Sequence, residues 1–334
     1  MSLKSLFRSI FKSETYIQKD NSMGDRYPVS HIKVTRTLEG RLVNTIINNG
    51  GSYFFTDMSV SEDGVFDCWE TVDVERLKEK LRTGWLTPQI PEREHINIHH
   101  LGSYKIRDCK WIYSDSSYFD FLLSVVMQMN PELNNLYRFK GKDSVVVGNV
   151  NYSTYSFDKK IVRKDSDTPS FKEFIGEREY VFYKASSGEY YLASLNIYND
   201  SVILIEGIPE IKKCTINQIK EYIDNSVLVC NLPVDAIVHI KDLGKFTVAE
   251  CRYSADIYDK YSEFSDIISK LNGDSTTSEI CYSLYKEYLN NPSNELRDKL
   301  KKAYEDIPSH LRIYVLGDMD SKDWPIREII YDED

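Results

Sequence analysis

No run in this 334-residue chain approaches the ~18 consecutive apolar residues that a membrane-spanning helix requires, which excludes a helical membrane protein. No two cysteines stand at CxxC spacing. Cys68, Cys109, Cys214, Cys230, Cys251 and Cys281 are scattered, which excludes a zinc knuckle, a redox dithiol and a compact disulfide framework. No signal peptide precedes them, so reduced thiols in a cytoplasm are expected. Walker A, GxGxxG, GxSxG and HExxH are all missing, so the common cofactor and hydrolase classes lack support, and neither cofactor nor metal is expected. Positive charge is also short: 42 Lys and Arg face 52 Asp and Glu, a net charge of −10. Phosphate contacts need clustered cations, so a nucleic-acid surface spread over the protein is excluded, and a basic partner fits better. Tryptophan is scarce, at 4 residues, whereas tyrosine reaches 24. Tyrosine joins a rigid apolar face to a polar tip, which suits half-exposed strand positions and contact surfaces. Apolar residues make up 41%, enough for a real core, and the length suggests about two domains.

Along the chain, SLKSLFRSIFKS sets Leu3, Leu6, Phe7, Ile10 and Phe11 opposite Lys4, Arg8 and Lys12, a short basic amphipathic helix. With the polar stretch after it, this makes an N-terminal arm and linker over 1–24, where Leu3, Phe7 and Phe11 are candidates for a peripheral membrane contact. A first α+β domain with mostly antiparallel sheet is expected over 25–140. HIKVTRTL, RLVNTIIN and SYFFTDMSV alternate and are separated by turn residues. VDVERLKEKLRTG reads as a helix capped by Asp73 and ended by Gly84, and SSYFDFLLSVVMQM as a buried one. A second strand-rich α+β unit is expected over 141–254, with the helix TINQIKEYID capped by Thr215; the polar stretch KKIVRKDSDTPSFKEFIGE reads as a loop. A helical region fills 255–334, and its tail DSKDWPIREIIYDED reads as loop plus a short strand or turn. No internal repeat of fixed period stands out. The fold class expected is α+β: antiparallel sheets with packed helices, followed by a helical C-terminal region.

Three of the six histidines, His95, His99 and His100, fall in EHINIHHLG. Read as one strand, this places Ile96, Ile98 and His100 on one face and His95, Asn97 and His99 on the other, with His95 and His99 roughly 13 Å apart. That is too far for two ligands of one zinc ion, so a strand with polar histidines is expected. The catalytic candidates are His95, His99, Asp67 and Cys68, with His99 as base to a Cys68 thiolate. Glu210-Ile211-Lys212, after Asp200, has the outline of a nuclease carboxylate–lysine pair but sits beside Pro209 and Lys213, which reads as surface loop. Asp318, Asp320 and Asp323 in GDMDSKD lack the spacing and the terminal glutamate of a calcium loop.

Residues 55–102, with FTD, DG, DCW, GW after a helix and IPE before the histidines, resemble an uncharacterised bacterial domain, and 291–331 resemble a block that accompanies it. The resemblance implies a bacterial cytoplasmic protein of the kind met among toxin-immunity and phage-defence accessory genes; it supplies no catalytic residues. The leading expectation is stoichiometric binding of another protein, one encoded nearby, through Trp69, Trp85, His99 and Trp324. The alternative is a hydrolase or nuclease with a dispersed His/Asp/Cys site.

Overall fold

Alternation over GRLVNTIINN and SYFFTDMSVS builds an antiparallel hairpin, β1 (Gly40–Asn49) and β2 (Ser52–Ser61), in which Val43 lies opposite Met58 and Ile46 opposite Phe55. Gly50 and Gly51 turn it with φ of 62° and 89°, a region that suits glycine. The computed structural model describes residues 40–138, 144–147, 150–153, 161–164, 173–317 and 322–331. The N-terminal arm with Leu3, Phe7 and Phe11, the segment HIKVTRTL, and Asp318 and Asp320 lie outside the described residues.

After the hairpin come β3 (Phe66–Asp67), β4 (Thr71–Val72), α1 (Val74–Arg82), β5 (Leu86–Thr87), β6 (His95–Ile98), β7 (Gly102–Trp111) and α2 (Asp115–Met129). Asp73 caps α1 by accepting the Arg76 N–H at 2.9 Å, and Ser114 forms a capping box on α2. The apolar faces do what their periods require: Val74, Leu77 and Leu81 of α1 and Tyr118, Phe119, Leu122, Leu123, Val125 and Val126 of α2 are buried.

A two-stranded hairpin, β8 (Ser144–Val147) and β9 (Val150–Ser153), and β10 (Ile161–Lys164) follow. The chain then runs through β11 (Glu173–Lys184), β12 (Tyr190–Tyr198), β13 (Ile203–Glu206), β14 (Lys212–Cys214), α3 (Ile216–Asp224), β15 (Leu228–Val229), β16 (Ile237–Ile240), β17 (Gly244–Ser254) and α4 (Ile257–Asn272). This is the succession β1 to α2 a second time. The match extends to single residues: the caps Asp73 and Thr215, the caps Ser114 and Asp256, and the left-handed residues Arg93 and Asp235 and His100 and Asp242 fall in equivalent places. It also extends to register. Ile46 and Ile47 pair with Thr87 and Leu86 as Phe182 and Tyr183 pair with Val229 and Leu228. The fold is therefore a duplication, contrary to the expectation of no repeat; turn geometry, caps and apolar positions are kept while residue identities are not.

Two compact units result. The first holds the described residues up to Asn97, those from Cys109 to 159 and Asp242–Lys245, with strand order β6-β2-β1-β5. The second holds Ile98–Asp108, 160–241 and Phe246 onward, with strand order β10-β11-β12-β16-β17-β7. Each unit thus contains a short segment of the other copy. The α+β class is as expected; the long hairpins β1–β2 and β11–β12 are antiparallel, whereas β12 and β16 run parallel. In the second unit α4 packs on β11 and β12, where Phe264 and Ile267 join a core of Val181, Ala193, Leu195 and Ile219.

Beyond the copies stand α5 (Thr277–Asn290), α6 (Asn294–Glu305), a 3-10 turn (Ser309–Tyr314) and α7 (Trp324–Tyr331) around Cys281, Leu300, Tyr304, Ile326 and Ile330. Two expectations are corrected here. The tail forms a helix, because Pro325 occupies its first turn, where proline is tolerated. The stretch read as a polar loop supplies β10 and the start of β11, paired from Ile161 opposite Gly176 to Lys164 opposite Glu173.

Candidate functional site

The strand bearing the histidines ends at Ile98. His99 and His100 form the turn into β7, and His100 adopts φ of 55°. Alternation therefore stops before His100, which does not continue the face of Ile96 and Ile98 as expected; the two imidazoles instead lie against each other, ring centres 3.7 Å apart and planes tilted by 31°. Gly102 follows because a side chain there would meet the Tyr253 carbonyl oxygen at 2.5 Å. The buried Tyr104 phenol fixes the far side of the turn, donating to the Cys230 carbonyl at 2.6 Å and the Leu101 carbonyl at 3.2 Å.

In the second unit this turn faces the first turns of α4. Asp256 caps that helix by accepting from the Tyr258 and Asp259 N–H groups. Its core-facing stripe, Phe264 and Ile267, continues back at helical spacing to Lys260 and Glu263. Both charged side chains are buried, Lys260 with no exposure at all. The Lys260 ammonium bonds Glu263, and it reaches Glu179 of β11 at 2.6 Å.

Glu263 is the hub of the cluster. His100 Nδ1 lies 2.9 Å from its Oε1, and His310 Nε2 lies 3.2 Å from its Oε2. His310 arrives on the 3-10 turn, which Asp259 pins by accepting from the Ser309 N–H at 2.9 Å and from the Ser309 hydroxyl. Arg312 ties the same turn to the Ile307 and Glu305 carbonyls at 2.9 and 2.7 Å. His310 Nδ1 is buried without a hydrogen-bond partner among the described residues, so Glu263 is the group that orients this ring. The side chains of His100, His310 and Glu179 remain 24%, 16% and 20% exposed, so the network reaches solvent on the histidine side.

The electrostatics follow from this packing. Burial pushes the Glu263 carboxyl up, but the hydrogen bonds of His100 and His310 and the Lys260 ammonium outweigh it and hold it well below the usual range. Burial raises Glu179, beyond what Lys260 offsets. Burial alone would lower Lys260, yet Glu179 and Glu263 keep it raised and charged. Partial burial, then His100, Lys260 and His310, push the His99 imidazole down to about 4 against the pull of Glu263. Burial pushes the nearby Cys230 thiol up to about 12, so it is not a thiolate nucleophile.

The duplication supplies an internal control. The places of Glu179, Lys260 and Glu263 are taken in the first unit by Val43, Tyr118 and Phe121, and that of His100 by Asp242. Tyr118 is as buried as Lys260 and donates its hydroxyl to the Asn44 carbonyl at 2.7 Å. The same backbone thus carries an uncharged strand and helix face once and three charges once.

Of the residues singled out in the sequence, His99 borders this cluster. His95, Asp67 and Cys68 belong to the first unit, so neither unit contains the full set of four. Asp67 is buried and accepts the Thr71 hydroxyl at 2.5 Å; the Cys68 thiol rests against the Glu70 carbonyl. Trp69 is exposed beside Phe54 with ring centres 5.0 Å apart, and the Lys80 ammonium of α1 covers Trp85 at 4.3 Å. Trp324 is exposed on α7 with Arg327 near its ring. Asp323 is buried and accepts the Tyr304 hydroxyl at 2.6 Å. Sequence reasoning missed Glu179, Lys260, Glu263 and His310. The legible signal was on α4, where charged residues occupy positions that the helical period buries.

Residues 28–133 and 168–275 match one family model, described as Domain of unknown function (DUF7638), and these stretches coincide with the two copies. The chain belongs to the DUF7638 family. Residues 276–334 match a second description, Domain of unknown function (DUF7639). No curated protein and no solved structure matches the chain. In this DUF7638 protein, His310 comes from the stretch matching the second description and the other members of the cluster from the first.

Proposed function

We propose that this DUF7638 protein acts by stoichiometric binding of another protein, and that the charged cluster of the second unit is its functional centre. The observation that supports this reading is the contrast between the copies. Burying a carboxylate and an ammonium, with a second carboxylate half-buried beside them, is often less stable than apolar packing of similar volume, by about 1–4 kcal/mol, and the first unit is built with Val43, Tyr118 and Phe121 instead. Charges that the fold does not require fit a recognition role, with His99, His100 and Glu179 at the rim to be completed by a partner. Tyr282, Leu289, Trp324 and Tyr331, exposed on α5 and α7, offer the apolar anchors of a contact surface, and a net charge of −10 favours a basic partner. Six free thiols suit a reducing bacterial cytoplasm, and toxin immunity or phage defence is the setting implied by the sequence resemblance.

The test replaces the charges by apolar residues of similar volume, Glu179→Val, Lys260→Met and Glu263→Leu together. The expected result is an unfolding midpoint equal to or above that of the wild type, with loss of the partner that the wild-type chain brings down from its host at near-equal amount. Undiminished capture of that partner by the variant would refute the assignment of the cluster.

A hydrolase or nuclease is the second reading. It is favoured by a carboxylate that orients two imidazoles, an arrangement suited to a general base. It would place the chemistry at His99, His100, Glu263 and His310 rather than at His95, Asp67 and Cys68. Turnover in nuclease or esterase screens that disappears in Glu263→Gln would support it.

A further inference from the structure

We infer that His100, Glu263 and His310 form a binding site for one divalent first-row transition ion of the zinc type. The inference concerns the isolated chain and stands whether or not a protein partner docks nearby. Its first support is geometric. One nitrogen of each imidazole and an oxygen of Glu263 all lie within 4.8 Å of one another, so small rotations bring the three to the ~2.0–2.2 Å that zinc takes from nitrogen and oxygen.

The second support is chemical. Two imidazoles and one carboxylate suit borderline ions such as zinc, whereas magnesium and calcium prefer oxygen alone. Three protein ligands also leave a coordination position open, on the side where His99 and His100 meet solvent.

The third support is charge. With neutral imidazoles, the cluster has two carboxylates, Glu179 and Glu263, for one ammonium, Lys260, and a buried excess of negative charge attracts a cation. Lys260 is shared between Glu179 and Glu263, so one negative charge of the pair is left for the ion. The ligands are also held in place independently of the ion: His100 by its left-handed turn above Gly102, Glu263 by the core-packed helix α4, and His310 by the Asp259–Ser309 bonds. The first unit has Asp242 and Phe121 where this one has His100 and Glu263, so a single site is expected.

The test uses the full chain dialysed against a chelator, with Zn(II) affinity read by competition with a chromophoric chelator and Co(II) as the spectroscopic probe. One equivalent should bind, and Mg(II) should not displace it. His100→Ala and His310→Ala should each weaken Zn(II) by at least about 100-fold and remove the Co(II) visible bands, while His239→Ala, whose ring stacks on Tyr191 and meets Glu189 instead, changes neither. Lys260→Met should tighten Zn(II) several-fold, because the ammonium competes for Glu263; a purely structural ion pair predicts no such gain. Circular dichroism of the metal-free variants separates lost ligands from lost fold. Failure of the wild type to retain Zn(II), or undiminished binding by the His100→Ala/His310→Ala double variant, overturns the inference.

Discussion

His99 shows how little a residue's neighbours in sequence say about its state. Its ring lies over His100 and within the field of Lys260, His310 and Glu263, and its pKa falls to about 4. Between about 4 and the ordinary value near 6.5 the unfolded chain holds a proton on His99 that the folded chain does not, so this group makes stability rise with pH across that window. His99 is open enough to solvent that screening reduces the effect to on the order of 1 kcal/mol. Urea unfolding from pH 4.5 to 7 in the presence of a chelator should therefore show a shallower slope for His99→Gln than for the wild type; equal slopes would remove His99 from the account. The three clustered histidines were visible in the sequence. That two of them touch ring to ring was not, because strand alternation holds only while the strand continues, and His100 leaves it with a positive φ.

At the scale of elements, the caps and stripes were legible because they are local. Asp73, Thr215, α1, α2 and α3 lie where their patterns put them. The misreadings share one cause, local composition taken for the absence of structure: Pro325 masked α7, and the charges Glu173 and Glu177 made the start of β11 look like loop. The turn before β7 recurs before β17, and glycine closes it both times. Added at Gly244, a Cβ would meet the Lys110 carbonyl oxygen at 2.3 Å and Trp111 Cα at 2.9 Å, both backbone atoms that cannot step aside. Gly244→Ala should cost about 2–3 kcal/mol in chemical denaturation. Gly188→Ala, where nothing lies within 4 Å but φ is 86°, should cost less, about 1 kcal/mol. Equal effects at the two positions would contradict the steric account.

For the whole molecule, the duplication carries the main consequence. The second unit takes Ile98–Asp108 from the first copy, and the first takes Asp242–Lys245 from the second. Cutting the chain between the copies, within 154–160, leaves neither fragment with a complete unit. Each expressed alone should be insoluble or self-associated, and the two co-expressed should purify together; a soluble, cooperatively folding monomer of either fragment would refute this reading of the units. The sequence by itself determined the α+β class, the caps, the apolar faces and the turns, since each depends on residues a few positions apart. It also held the repeat, though in conformational rather than chemical terms, as left-handed turns and caps filled by different residues. Only the tertiary structure decided which charges meet. Glu179, Lys260, Glu263, His100 and His310 come from the middle of β11, from α4, from the turn before β7 and from a distant 3-10 turn, and a buried charge declares its purpose only through partners that no local pattern reveals.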